Sequence, residues 1–140
     1  MQAREILETC VYAEDLEAAE RFYSDVLGLE KDAAVPGRHV FFRCGGRMFL
    51  VFNPAKTAAG GGPVPGHGAT GPGHACFAAT AGELDRWRDH LRAKGVEIEA
   101  EVEWPGGGRS IYFRDPAGNS IELGTPAIWK INEEETFGAG

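Results

Sequence analysis

Three short apolar runs each carry one side chain able to ligate a divalent metal. Glu8 sits in Ile6-Leu7-Glu8-Thr9-Cys10-Val11-Tyr12. His74 opens His74-Ala75-Cys76-Phe77, and Glu122 lies in Asn119-Ser120-Ile121-Glu122-Leu123. One imidazole and two carboxylates brought together would hold a divalent ion with coordination positions left open for a substrate. Glu122 lies between Ile121 and Leu123 and would be a costly buried charge without a partner. Strands alternate faces, so Glu8, Cys10 and Tyr12 share one side, as do His74, Cys76 and Ala78, and Ser120, Glu122 and Gly124. Cys10 and Cys76 then belong to the wall of a site, outside the ligand set.

The elements that must position these residues can be read from periodicity. A first strand is expected over about Ile6–Tyr12. Asp15 is a helix N-cap, and Leu16, Ala19, Phe22, Tyr23 and Val26 form one apolar helical face that Gly28 ends. Strands follow at about Leu29–Val35, Arg38–Cys44 and Arg47–Phe52, with Gly45-Gly46 as a hairpin turn. Residues 54–73, rich in glycine and proline, read as a linker or flap with no helix. No P-loop lysine follows those glycines, which argues against a phosphate cradle. A strand at His74–Ala79, a helix at about Gly82–Lys94 and strands at about Val96–Glu103, Arg109–Arg114 and Asn119–Leu123 come next. Asp115-Pro116-Ala117-Gly118 makes the last turn.

The two halves align. Leu27-Gly28-Leu29-Glu30 matches Lys94-Gly95-Val96-Glu97 at an offset of 67, and Arg38–Arg43 matches Arg109–Arg114 at an offset of 71. Glu8 and His74 match at an offset of 66. A duplicated βαβββ unit explains all three. The expected fold is α+β, two tandem βαβββ modules with mixed sheets that form a shared concave cleft. One domain over 1–140 is expected, with modules at about 5–53 and 74–124, a linker at 54–73 and a tail at 125–140.

Composition narrows the partners. The chain has 140 residues and a formal net charge of −7, which argues against nucleic acid as the main partner. No apolar run is long enough for a membrane span, and no signal-peptide core follows Met1. Cys10, Cys44 and Cys76 read as reduced thiols, so a cytoplasmic protein is expected.

The run from Val11 to Leu29, the Gly73-His74 strand start and the run from Tyr112 to Leu123 resemble the vicinal oxygen chelate superfamily. That superfamily includes glyoxalase I, extradiol dioxygenases, fosfomycin-resistance enzymes and bleomycin-binding proteins. The resemblance covers about residues 5–125. It implies metal ligands at Glu8, His74 and Glu122, around one divalent ion: Zn²⁺, Ni²⁺, Mn²⁺ or Fe²⁺. Glu8 departs from the histidine or glutamine more usual at its position. Glyoxalase I takes a further ligand from the last strand of its first module. Here that place falls on Phe49 or Val51, depending on hairpin register, and neither can ligate. Three-ligand chemistry is therefore expected.

The expected function is metal-dependent isomerase or lyase chemistry on a small oxygenated substrate, the metal acting as a Lewis acid. Glu8 and Glu122 are the candidate catalytic bases. Cys10, Tyr12, Phe52, Cys76, Trp104, Tyr112 and Trp129 are the candidate substrate-binding residues. His39, His67 and His90 are read as surface residues. A non-catalytic drug- or metabolite-binding protein and a ring-cleaving dioxygenase are the alternatives. The resemblance also implies a homodimer.

Overall fold

In the computed structural model, which describes residues 1–138, the chain divides into two compact units. The first holds Met1–Gly73 together with Asp115–Asn119. The second holds His74–Arg114 and the chain from Ser120 onward.

The first unit contains β1 (Glu8–Tyr12), α1 (Leu16–Asp25), β2 (Glu30–Val35), β3 (His39–Cys44), β4 (Arg47–Phe52) and α2 (Pro54–Ala58). Its sheet has the order β1-β4-β3-β2, with β1 parallel to β4 and the remaining pairs antiparallel. Asp15 caps α1 as expected, its Oδ1 accepting the Ala18 N–H at 2.9 Å. After the helix the chain turns at Gly28, whose φ of +67° is costly for any residue with a Cβ. Tyr23 of α1 packs on Phe42 and Phe49, with ring centroids 5.8 and 4.8 Å away. Val11, Val40, Phe42, Phe49 and Val51 are buried with it. Each such side chain contributes about 1.5–3 kcal/mol through burial. The helix thus covers one face of the sheet. The opposite face carries Glu8, Cys10 and Tyr12 of β1, Met48, Leu50 and Phe52 of β4, and His39 and Phe41 of β3.

The second unit repeats the plan: β5 (His74–Ala78), α3 (Leu84–Ala93), β6 (Ile98–Glu103), β7 (Arg109–Arg114) and β8 (Ser120–Gly124) in the order β5-β8-β7-β6. A 3₁₀ turn at Pro126–Trp129 and a short α4 at Glu133–Phe137 follow. Thr80 and Glu83 bond reciprocally ahead of α3, Glu83 accepting from the Thr80 N–H at 3.0 Å and Thr80 from the Glu83 N–H at 3.2 Å. Even the irregularities repeat: register shifts at Lys31/Ala33 in β2 and at Ile98/Ala100 in β6. No helix among the described residues is long and apolar enough to cross a membrane.

Two expectations need correction. The segment after β4 does hold a helix. Asn53 Oδ1 accepts from the Ala55 and Lys56 N–H groups, and Pro54 stands at the first helical position, where its missing N–H costs nothing. The first-module counterpart of Glu122 is Leu50. Cys76 pairs with Glu122, and Cys10 pairs with Leu50. Four residues separate the paired Arg43 and Met48, and five separate the equivalent pair Arg114 and Ser120. That one-residue difference moves Phe49 and Val51 to the helix-covered face. Leu50 cannot ligate either.

Candidate metal centre

In the second unit, adjacent parallel strands β5 and β8 place His74 and Glu122 on one face. His74 Nε2 lies 3.3 Å from Glu122 Oε2. The glutamate side chain is 7% exposed and the histidine 53%, so the carboxylate is sunk in the sheet face and the imidazole reaches over it from the rim. His74 Nδ1 lies 2.9 Å from the Ser120 carbonyl oxygen. A carbonyl can only accept, so Nδ1 carries the hydrogen of this pair. In the neutral ring the lone pair is then on Nε2, facing a carboxylate oxygen. Two acceptors at that distance repel unless a cation lies between them. A proton or a metal ion meets the need, and a histidine whose other nitrogen is fixed by a carbonyl is the usual arrangement for a metal ligand.

The other Glu122 oxygen accepts a hydrogen bond. Ser110 Oγ, 2.5 Å away, donates to Oε1, and Ser110 in turn accepts the Trp104 indole N–H at 2.9 Å. Cys76 stands beside the carboxylate. Burial first, and then the Glu122 charge, push its thiol up to about 12, so it is a neutral wall group at ordinary pH. The backbone must come close here. A Cβ on Gly124 would lie 2.9 Å from Cys76 Sγ and 3.1 Å from Glu122 Oε1. Tyr112 stacks along His74 at 6.5 Å, and burial, followed by the Glu122 charge, raises its phenol.

In the first unit, Glu8 is exposed at the start of β1, with half-buried Cys10 and Tyr12 on the same side. Phe52 is buried under Tyr12, with ring centroids 6.3 Å apart. Trp104 is 41% and Trp129 76% exposed. The structure brings His74, Glu122, Cys76 and Tyr112 together. Among the described residues, no three His, Cys, Asp or Glu side chains converge as a ligand set.

Sequence reasoning missed His67. Its Nδ1 lies 2.7 Å from the Tyr12 hydroxyl, and its ring meets Phe52 edge-on at 4.7 Å. The loop carrying it is pinned. The His67 N–H donates to the Thr57 carbonyl at 3.1 Å, and Cβ atoms on Gly66 and Gly68 would lie 3.1 Å from the Ala58 carbonyl and 2.8 Å from the Pro54 carbonyl. Gly66-His67-Gly68 was the available signal: two glycines for close approach around one functional side chain. Gly68→Ala should therefore cost about 1–3 kcal/mol in denaturant unfolding and displace His67 from Tyr12. Gly62→Ala, with no atom within 4 Å of the new Cβ, should be near neutral. Equal effects would contradict the pinned loop. His39 is also more than a surface residue. Arg38 Nη1 donates to its Nδ1 at 3.0 Å, and burial, reinforced by that guanidinium, lowers its basicity.

Two βαβββ units, with a histidine and a buried glutamate on neighbouring strands of one of them, define the glyoxalase class of fold. The chain belongs to the Glyoxalase/Bleomycin resistance protein/Dioxygenase superfamily, whose family model matches residues 5–123. It is similar to the crystal structure of lactoylglutathione lyase from Agrobacterium tumefaciens, with a TM-score of 0.90 and 44% identity, covering 94% of this chain and 100% of that one. A glyoxalase/bleomycin resistance protein/dioxygenase from Nocardioides shares the fold, with a TM-score of 0.71 and 24% identity over 89% of this chain and 85% of that one. Metallothiol transferase FosB from Staphylococcus epidermidis is 26% identical over 133 residues, 91% of this chain and 86% of that protein.

Proposed function

We propose that this chain is a divalent-metal-dependent enzyme acting on a small oxygenated substrate by isomerase or lyase chemistry. One observation carries the reading: the Nε2 lone pair of His74 and the buried Oε2 of Glu122 face each other at 3.3 Å, a donor pair that fits a divalent cation. Both groups are borderline-to-hard donors suited to Zn²⁺, Ni²⁺, Mn²⁺ or Fe²⁺. Bound there, the ion supplies Lewis-acid polarisation of substrate oxygens.

The chain's own residues do the rest. The Ser120 carbonyl holds the His74 ring in one tautomer. Cys76 and Tyr112 form the wall beside Glu122. Glu122, with Oε2 facing His74, is the carboxylate able to take a proton from a substrate carbon and return it. The similarity to a lactoylglutathione lyase supports a thioester-forming isomerisation as the first reaction to test.

The test uses chelator-treated protein given Mn²⁺, Ni²⁺ or Zn²⁺ in turn. Formation of lactoylglutathione from glutathione and the three-carbon 2-oxoaldehyde is followed by thioester absorbance. Turnover that needs the added ion and is lost in Glu122→Gln is expected. Turnover indifferent to chelator and to that substitution would sink the reading.

A further inference from the structure

Glu122 is buried, and its two oxygens are not equivalent: Oε2 faces the His74 ring, while Oε1 accepts a short hydrogen bond from inside the sheet. Ser110, 1% exposed, lies opposite Gly124 on β7 and sends its hydroxyl to Oε1. The direction of this bond is fixed by chemistry. A serine hydroxyl has a single hydrogen, and an indole nitrogen can only donate. Trp104 Nε1 donates to Ser110 Oγ at 2.9 Å, which leaves the serine hydrogen for the carboxylate oxygen 2.5 Å away. The result is a one-way relay from indole to hydroxyl to carboxylate, ending at the oxygen that does not face His74.

The fold holds the first member of the relay in place. Trp104 closes a tight turn between β6 and β7, its N–H donating to the Gly108 carbonyl at 3.0 Å and its carbonyl accepting from Gly107 at 2.9 Å. Gly108 has a φ of +86°, and a Cβ there would fall 2.6 Å from Ile128 and 2.9 Å from Thr125 Oγ1. Thr125 Oγ1 also accepts the Arg109 N–H at 2.9 Å. The turn is thus clamped to the 3₁₀ segment that follows β8, and Trp104 with it.

We propose that Ser110 and Trp104 are positioning residues that confine Glu122 to one-oxygen ligation through Oε2. The inference rests on the metal reading above. Its consequence is functional: a glutamate that ligates through one oxygen leaves one more coordination position for a chelating substrate than a glutamate that ligates through both. A purely structural role, satisfying a buried carboxylate, predicts lower stability and an unchanged metal site.

The experiment is Mn²⁺ binding to the full chain, read from the electron paramagnetic resonance of free Mn²⁺, for wild type, Ser110→Ala, Ser110→Thr and Trp104→Phe. Loss of a partner that orients a ligand typically weakens metal binding 10–100-fold. Ser110→Ala is expected to raise the Mn²⁺ Kd about tenfold, with Trp104→Phe intermediate and Ser110→Thr close to wild type. A second readout follows the relay itself. The indole N–H resonance absent from Trp104→Phe should shift when Zn²⁺ is added to wild type, and stay still in Ser110→Ala. Unchanged Mn²⁺ affinity in Ser110→Ala and Trp104→Phe, with a lower melting temperature, overturns the proposal and leaves the metal site standing. Absence of Mn²⁺ and Zn²⁺ uptake by wild type overturns both. If Ser110→Ala does not fold, Trp104→Phe and Ser110→Thr decide on the same criteria.

Discussion

Asp115→Ala is expected to destabilise the protein by about 3–5 kcal/mol, enough to unfold much of a marginally stable population. Asp115 is 4% exposed and accepts four hydrogen bonds. Its Oδ2 takes the Tyr23 hydroxyl at 2.6 Å and Asn119 Nδ2 at 2.9 Å, and its Oδ1 takes the Ala117 and Asn119 N–H groups at 3.0 and 2.9 Å. Asn119 passes the order on, donating to the Tyr12 carbonyl at 3.0 Å and accepting from the Gly73 N–H at 2.7 Å. Removing the carboxylate strands a fully buried tyrosine hydroxyl and two turn amides, each costing about 1–3 kcal/mol. Burial, and then the Asp115 charge, already hold the Tyr23 phenol far above its ordinary range, so ionisation offers no escape. Asp115→Asn keeps an acceptor for the turn amides but turns an amide group toward Asn119 Nδ2. It should lose about half as much. Urea unfolding measures both. A loss below about 1 kcal/mol for the alanine variant would mean that this network is not the keystone its geometry makes it.

Glu122→Gln should separate function from stability. A glutamine there can accept from Ser110 with its amide oxygen and donate to the His74 Nε2 lone pair with its amide nitrogen. The facing acceptors become a hydrogen bond, so the metal-free variant should be no less stable than metal-free wild type, to within about 1 kcal/mol. Metal affinity should fall by about 100-fold or more, since a ligand is lost outright rather than its support. Thermal unfolding with chelator present and Mn²⁺ titration read the two effects. A variant that is less stable without metal and still binds Mn²⁺ normally would show that Glu122 serves the fold and not an ion.

The two-module plan was legible because local signals recur: helix-stopping Gly28 and Gly95, the Gly45-Gly46 hairpin and paired aromatic strands. His74 and Glu122 were legible for a related reason, as single polar residues on neighbouring strands whose alternation puts both on one face. Register was not. A turn longer by one residue after β7 than after β3 moved the Glu122 counterpart to Leu50, and sequence alone cannot count ladder pairs. Ser110 was invisible because a serine in a strand declares nothing until its partners, Glu122 across the sheet and Trp104 around a turn, are in place. His67 hid in a glycine-rich segment that looked like a linker, since its anchoring depends on backbone approach to α2. Asp115 read only as a turn residue, because its partner Tyr23 is distant in sequence.

The most direct test of the central claim is metal content. Wild-type protein loaded with Zn²⁺ or Mn²⁺ and exhaustively desalted should retain about one ion per chain by elemental analysis, the stoichiometry of a single centre. His74→Ala, which removes a mostly exposed ring and spares the core, should fold normally and retain almost none. Equal metal in wild type and His74→Ala, or none in wild type at micromolar free ion, would contradict the account.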